Sequence, residues 1–116
     1  MLAPKELAHR ISSILTDKKA ENIIVLDVAH LTSITDYFII CSGRNTIQVR
    51  TMAEDVEEKL TGEGIDARRK EGYGDARWVV LDYASVIVHV FHEQEREYYN
   101  IERLWMDGSN QIKMDL

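Results

Sequence analysis

The sequence has little cysteine, proline or glycine. Its single cysteine, Cys41, cannot form an internal disulfide, which is compatible with a reducing cytoplasm. One proline and six glycines among 116 residues leave little room for a flexible linker. No run approaches the ~20 apolar residues of a membrane span, and the opening MLAPKELAHR lacks the apolar run of a secretory signal. We therefore expect a cytoplasmic single domain over residues 1–105 and a flexible tail over residues 106–116.

Positive charge is also scarce. The net charge is −6, and the one basic cluster is Arg68, Arg69 and Lys70. Neighbouring side chains on a strand point to opposite faces, so this triplet does not form a single patch and is expected at a solvated edge. Nucleic-acid binding draws much of its affinity from basic residues that release counterions, so a generic affinity for phosphate is disfavoured.

Apolar periodicity predicts an α/β domain in which helices pack on a mixed five-stranded sheet. A first helix begins at Pro4, and a second is predicted from about residue 46 to residue 60. Strands are predicted at residues 23–28, 37–43, 65–72, 77–83 and 86–91. The first two strands are apolar on both faces, which indicates central strands covered by helices on each side, whereas the third is polar and indicates an edge. A last helix is predicted from near Glu93, carrying towards the core Tyr98, Ile101, Leu104 and Trp105.

A phosphate site is the first chemistry to consider. Ser42 and Gly43 follow a strand and precede a helix, where backbone amides can bind an anion. The complete glycine-rich nucleotide motifs are absent, and Gly43 is more simply expected to permit a turn that needs a positive φ. A nucleotidyltransferase also needs two carboxylates one residue apart on a strand, and the predicted strands have no such exposed pair. A nucleotide-binding or nucleotidyltransferase-type enzyme using this loop is therefore the alternative function.

Histidine and cysteine chemistry is disfavoured by spacing. His89 and His92 are three residues apart, so on a strand they face opposite sides, and a third zinc ligand is missing. We expect His89 to be a core or near-core histidine with one satisfied ring nitrogen. Cys41 lies in an apolar strand, where a thiol is usually a small hydrophobe with a raised pKa rather than a nucleophile. We predict no catalytic residue, no metal and no cofactor.

Trp78 opens an apolar strand directly after a loop of glycine and charged residues. Tryptophan, tyrosine and arginine dominate interface hot spots, and all three are found near this strand. Large aromatic residues are also common in cores. The pattern leaves both interpretations of Trp78 open: it covers the end of the sheet, or it anchors a partner.

Three segments carry a resemblance to a known family. They are residues 26–56, with the pattern Asp-x-x-x-x-Thr-x-x-x-Asp-Tyr-Phe-x-Ile-x-Ser-Gly; residues 68–91, with Trp-x-x-x-Asp-Tyr and Val-His-Val-Phe; and residues 96–105, with Arg-x-x-Tyr-x-Ile-Glu-x-Leu-Trp. In this order they resemble the ribosomal silencing factors, also called Iojap-like proteins. One departure is Ala84, where the family commonly has glycine after Asp-Tyr, so the turn is expected to differ slightly.

The resemblance implies a nucleotidyltransferase-like fold without catalytic residues. It implies binding to the large ribosomal subunit through its protein fourteen, a block on subunit joining that represses translation under nutrient limitation, and a homodimer when free. It implies no membrane, no sequence-specific nucleic acid and no small-molecule substrate. On this basis Trp78 is the expected anchor, and the expected partner-binding residues are Arg77, Trp78, Val80, Leu81, Tyr83, His92, Arg96 and Tyr99. A dimeric scaffold for other partners is a further alternative.

Overall fold

The computed structural model describes residues 2–114. The helices in this range are α1 Pro4–Asp17, α2 Thr46–Gly62, α3 Glu93–Tyr99 and α4 Ile101–Trp105. The strands are β1 Glu21–Asp27, β2 Tyr37–Gly43, β3 Arg69–Glu71, β4 Trp78–Asp82, β5 Val86–His92 and β6 Gln111–Ile112. None of these helices is both long and apolar enough to cross a membrane.

The strands form one mixed sheet in the spatial order β3-β4-β5-β2-β1-β6. β2 and β5 run parallel at its centre, and the other neighbouring pairs are antiparallel. The predicted α/β class, with a mixed sheet and packed helices, is confirmed. β2 and β5 are buried along almost their whole length, as continuous apolar runs require of central strands. β3 lies at the edge, as its polar sequence predicted, although it is shorter than the predicted residues 65–72.

The sheet has six strands rather than the predicted five. The additional strand, β6, lies within residues 106–116, where we expected a flexible tail, and pairs with β1 through Ile112 and Val25. Asn110 is buried, and its side-chain amide donates to the backbone carbonyls of Asp27 and Trp105 at 3.0 and 2.8 Å. A two-residue strand has no hydrophobic period, so the sequence pattern could not reveal it. Residues 115–116 of the expected tail lie outside the described range.

Helices α1 and α2 cover one face of the sheet and form the larger core. Their apolar residues recur at helical spacing, so each helix buries a continuous stripe against the strands. Asn45 caps α2 by accepting a hydrogen bond from the backbone N–H of Gln48 at 2.8 Å. These two helices bury the side chains at their centres against the strands.

Helices α3 and α4 lie over the opposite face, where a smaller core includes Phe38, Ile40 and Phe91. The sequence predicted one continuous helix here, but Asn100 adopts a left-handed conformation with φ 46° and divides it. The helix axis therefore breaks, and two residues predicted to face the core are exposed: Tyr98 is 80% exposed and Leu104 is 78% exposed. The predictions for Ile101 and Trp105 are confirmed, because both pack against this core.

Gly43 and Ala84 differ in why a small residue suits each position. Gly43 does not adopt a positive φ, contrary to our expectation; instead, a Cβ at this position would lie 2.9 Å from Met52 Cε and 3.1 Å from Val49 Cγ2. The glycine thus allows α2 to approach β2 closely. Ala84, in the β4–β5 turn, has a φ of 70°, in the region that favours glycine. The turn therefore places an alanine, with its Cβ, in the left-handed region.

Candidate protein-binding surface

The incompletely covered side of the sheet carries a cluster of apolar residues, of which Ile87 is buried and the others are partly or largely exposed. We call it the open sheet face and define it as Ile34, Trp78, Val80, Ile87 and Tyr99. Trp78, Val80 and Ile87 lie on the same face of adjacent strands β4 and β5, because alternate residues share a face. Ile34 is 66% exposed and Tyr99 is 48% exposed. Aromatic and aliphatic area of this kind, concentrated at one place, is typical of an interaction site.

Trp78 is held from several sides. Its ring stacks on Phe91, with centroids 4.7 Å apart, and lies 5.0 Å from the ring of Tyr99 in α3. Its indole Nε1–H donates a hydrogen bond to Nδ1 of His89 at 3.1 Å. Trp78 is half-buried, packed against the smaller core on one side and accessible on the other. The two interpretations of this residue are therefore compatible, since one ring can both cover the sheet and offer a contact.

A shallow groove of about 210 Å³ extends from Val80 towards the sheet edge. It is lined by Val80, Asp82 and Ile87 of the sheet and by Ile34 of the loop between β1 and β2. Arg69 and Glu71 of the edge strand line the other side. Sequence reasoning missed Ile34 and Ile87; a large aliphatic residue among Thr32, Ser33, Thr35 and Asp36 was the signal that could have drawn attention to Ile34.

Two of the predicted polar residues lie beside the open sheet face and already have partners. Arg77 forms an ion pair with Glu95, with Nη2 and Oε1 2.5 Å apart. His92 caps α3, since its Nδ1 accepts a hydrogen bond from the backbone N–H of Gln94 at 3.1 Å. Both side chains remain partly exposed. These two contacts fix the start of α3 next to Trp78. The exposed parts of both side chains can still contact a partner at the border of the open sheet face.

Leu81 and Tyr83 do not belong to the open sheet face. Leu81 is fully buried and Tyr83 is 6% exposed, and both lie in the core beneath α1 and α2. The prediction placed them around Trp78, but strand alternation sends Leu81 to the opposite face, where Tyr83 also packs. This part of the predicted site is corrected by the structure.

Arg96 is also removed from the predicted polar border, because its side chain is buried. Its Nε donates to Glu102 at 2.7 Å, and its Nη1 donates to the carbonyl of Asn22 at 2.6 Å and to Ser42 Oγ at 3.0 Å. These bonds join α3 and α4 to β1 and β2. The arginine fixes the short helices on the sheet instead of contacting solvent.

The possible anion loop is already occupied by the protein's own groups. Ser42 is buried and accepts the hydrogen bond from Arg96. The backbone N–H of Arg44 donates to Gln48 Oε1 at 2.7 Å, and that of Gln48 donates to Asn45. Phosphate-binding loops offer free amides to their ligand. The amides of Arg44 and Gln48 thus have internal partners, and Ser42 is not free to bind a ligand, so the geometry does not favour the nucleotide-binding alternative.

The residues considered for catalysis are enclosed. Burial raises the pKa of Cys41 to about 12, so its thiol is protonated at neutral pH, as predicted. Burial lowers the pKa of His89 to about 4, and its ring is neutral with one nitrogen bonded to Trp78, again as predicted. Among the described residues, no three His, Cys, Asp or Glu side chains are grouped so that they could hold a metal ion. The open sheet face is therefore better suited to contact with a partner than to catalysis.

Comparison with known proteins identifies the family to which the chain belongs. Residues 2–116 match the family model described as ribosomal silencing factor during starvation. The chain belongs to the ribosomal silencing factor family. It is 44% identical over 92 residues to Ribosomal silencing factor RsfS of Bacillus subtilis, covering 79% of this chain and 78% of that protein. The family name denotes the regulation of ribosomes rather than a reaction, and this chain is not an enzyme.

Solved structures and a distant relative extend the comparison. A crystal structure of a Chromobacterium violaceum protein superposes with a TM-score of 0.88 at 33% identity, covering 99% of this chain and 94% of that one. A mouse protein named Mitochondrial assembly of ribosomal large subunit protein 1 is 29% identical over 96 residues, which is 80% of this chain and 42% of that protein. The fold is thus shared with this solved structure, and one relative's name refers to assembly of the large ribosomal subunit.

Proposed function

We propose that this ribosomal silencing factor binds the large ribosomal subunit through its protein fourteen and thereby blocks joining with the small subunit. The effect is repression of translation when nutrients are limited. The observation that carries the proposal is the open sheet face, where Trp78 and Tyr99 expose aromatic surface beside a groove. Family membership supports a ribosomal target, and the surface supplies a means of contact that requires no chemistry.

Charge favours a protein over RNA as the direct partner. The net charge of −6 opposes close approach to a phosphate backbone. A basic ribosomal protein, in contrast, complements an acidic factor and speeds association, while a half-buried aromatic anchor supplies most of the affinity. Trp78 is suited to that role because its ring is pre-oriented by neighbours, so little conformational entropy is lost on binding.

The mechanism we propose is steric. A folded domain with extents of 34 × 34 × 26 Å, seated where the small subunit must contact the large one, excludes that contact while it stays bound. We further propose that the free protein is a cytoplasmic homodimer that uses an overlapping part of the open sheet face. Dimer formation would then compete with ribosome binding, because the same apolar area cannot be covered twice.

Co-sedimentation with purified large subunits tests the proposal. Wild type is compared with Trp78→Ala and Tyr99→Ala, and with Ile47→Ala as the matched control. Ile47 is 73% exposed on α2, in the other layer of the fold. We expect the wild type and the control to bind and to reduce subunit joining, whereas Trp78→Ala weakens binding by about 2 kcal/mol, or roughly thirtyfold.

Tyr99→Ala tests the same surface with little risk of unfolding the protein, because this half-exposed side chain can be truncated with little effect on the core. Circular dichroism and thermal unfolding establish that each variant is folded. Failure of the wild type to sediment with large subunits would refute the silencing function for this chain. Normal binding by both aromatic variants would instead move the contact away from the open sheet face.

A further inference from the structure

His89 is a buried polar residue whose role the fold alone does not explain. It lies on β5, directly opposite Val80 of β4, and is 9% exposed. Its ring meets Phe38 edge-to-face, with centroids 5.1 Å apart, so apolar rings surround it. An aliphatic or aromatic residue would fill such a position without any polar group to satisfy.

The hydrogen bond to Trp78 fixes the state of the imidazole. Nδ1 accepts from the indole Nε1–H at 3.1 Å, so the neutral ring carries its own hydrogen on Nε2. That Nε2 is buried and has no hydrogen-bond partner among the described residues. An unsatisfied buried donor costs on the order of 1–3 kcal/mol. The chain therefore keeps a costly polar group in its core, and within residues 2–114 its one side-chain hydrogen bond is with the proposed anchor.

We propose that His89 is a positioning residue that fixes the indole of Trp78 in its binding orientation on the open sheet face. This inference rests on the proposed function, because it assigns a purpose to the orientation. Stacking on Phe91 sets the plane of the indole but does not distinguish the two χ2 orientations that place Nε1 on opposite sides of the ring axis. The directional bond from Nε1 to His89 removes this freedom, which stacking alone cannot do.

The orientation matters because the indole has two different edges. With Nε1 turned inwards to His89, the polar edge is satisfied inside the protein, and the hydrocarbon edge is left for a partner. If the bond were lost, Nε1–H would need water or a partner acceptor, and the ring would sample several orientations before binding. Pre-organisation of an anchor improves affinity by reducing the ordering needed at association.

Two substitutions separate positioning from packing. His89→Asn keeps an acceptor, because asparagine Oδ1 branches from Cγ as histidine Nδ1 does. His89→Leu keeps apolar bulk and removes the acceptor. Each is measured for binding to purified large subunits and for hydrogen exchange of the Trp78 indole N–H by NMR. The two tryptophans, Trp78 and Trp105, are assigned with a Trp105→Phe variant.

We expect His89→Leu to fold, to exchange the Trp78 indole hydrogen faster and to bind large subunits roughly threefold to tenfold more weakly, which corresponds to one lost hydrogen bond. His89→Asn should exchange slowly and bind nearly as the wild type does. If His89→Leu fails to fold, His89→Phe takes its place. Unchanged exchange and binding in the apolar variant, or an equal defect in His89→Asn, would overturn the proposal.

The test also separates this inference from the proposed function. If the wild type does not bind large subunits, the silencing function fails, and with it the purpose assigned to the orientation. Indole exchange in the free protein would still establish whether His89 holds Trp78 in place. If the wild type binds and the exchange rates do not differ, only the positioning role is refuted.

Discussion

Acidification should destabilise this protein through His89. Burial lowers the pKa of His89 to about 4, whereas the same imidazole in the unfolded chain titrates near its ordinary 6.5. Above pH 6.5 both states are neutral, and the residue makes no pH-dependent contribution. Between pH 6.5 and about 4, the unfolded chain binds a proton that the folded chain does not bind. The free energy of unfolding therefore falls as the pH falls through this window.

The expected magnitude follows from the width of the window. Each pH unit between the two pKa values lowers the free energy of unfolding by about 1.4 kcal/mol, so the whole window removes about 3 kcal/mol. This is a large fraction of the 5–15 kcal/mol typical of a folded domain. Below about pH 4 both states carry the proton, and the contribution from His89 becomes constant.

Urea denaturation at a series of pH values between 7.5 and 4 measures this effect, with His89→Asn as the reference. Other groups titrate in both proteins, so the difference between the two curves isolates His89. Asp107, for example, has its pKa lowered to about 2 by a hydrogen bond from His30, and it contributes equally to both. We expect the wild type to lose about 3 kcal/mol more than the variant. Parallel curves would refute the assignment of a buried neutral imidazole.

The remaining predictions are tested by thermal and urea unfolding. Gly43→Ala should cost about 1–2 kcal/mol, because its Cβ must displace the helix α2 side chains. Gly72→Ala should cost about 3–5 kcal/mol, since φ is +92° and the new Cβ would lie 1.9 Å from a backbone oxygen of β4. Ala84→Gly should stabilise by about 1 kcal/mol by relieving a left-handed alanine. Arg96→Met should cost about 3–5 kcal/mol by leaving a buried carboxylate unpaired, and adding Glu102→Leu should recover most of that loss. A stable Gly72→Ala, or a double variant no better than Arg96→Met, would contradict these assignments.

The central elements of the fold were predictable because their signals are long and local. β2 and β5 are apolar on both faces, which is typical of central strands, and α2 keeps a helical period over 17 residues. The state of His89 was predictable for a similar reason: a lone histidine between valines, with no second ligand nearby, is best accommodated as a neutral core residue.

The wrong predictions for individual side chains have a different cause. The positions of these side chains depend on contacts with residues that are distant in sequence. Arg96 looks like a surface residue in a charged helix, yet it is buried by Glu102 and by backbone from β1. Leu81 and Tyr83 neighbour Trp78 in sequence but lie in the core on the other side of the sheet. The role of Gly43 is set by how closely α2 approaches, and spacing within one element contains no information about that distance.

The accessibility of Trp78 follows from an imbalance between the two layers. α1 and α2 have 14 and 17 residues, so they extend about 21 and 26 Å across one face. α3 and α4 have only seven and five residues, and the break at Asn100 prevents residues 93–105 from forming one longer helix of about 20 Å. α3 packs on β5 and β2, and Arg96 ties it to β1 and β2, so the β3–β4 side stays partly uncovered. An apolar sheet face that the chain cannot cover with its own helices is suited to being covered by a partner.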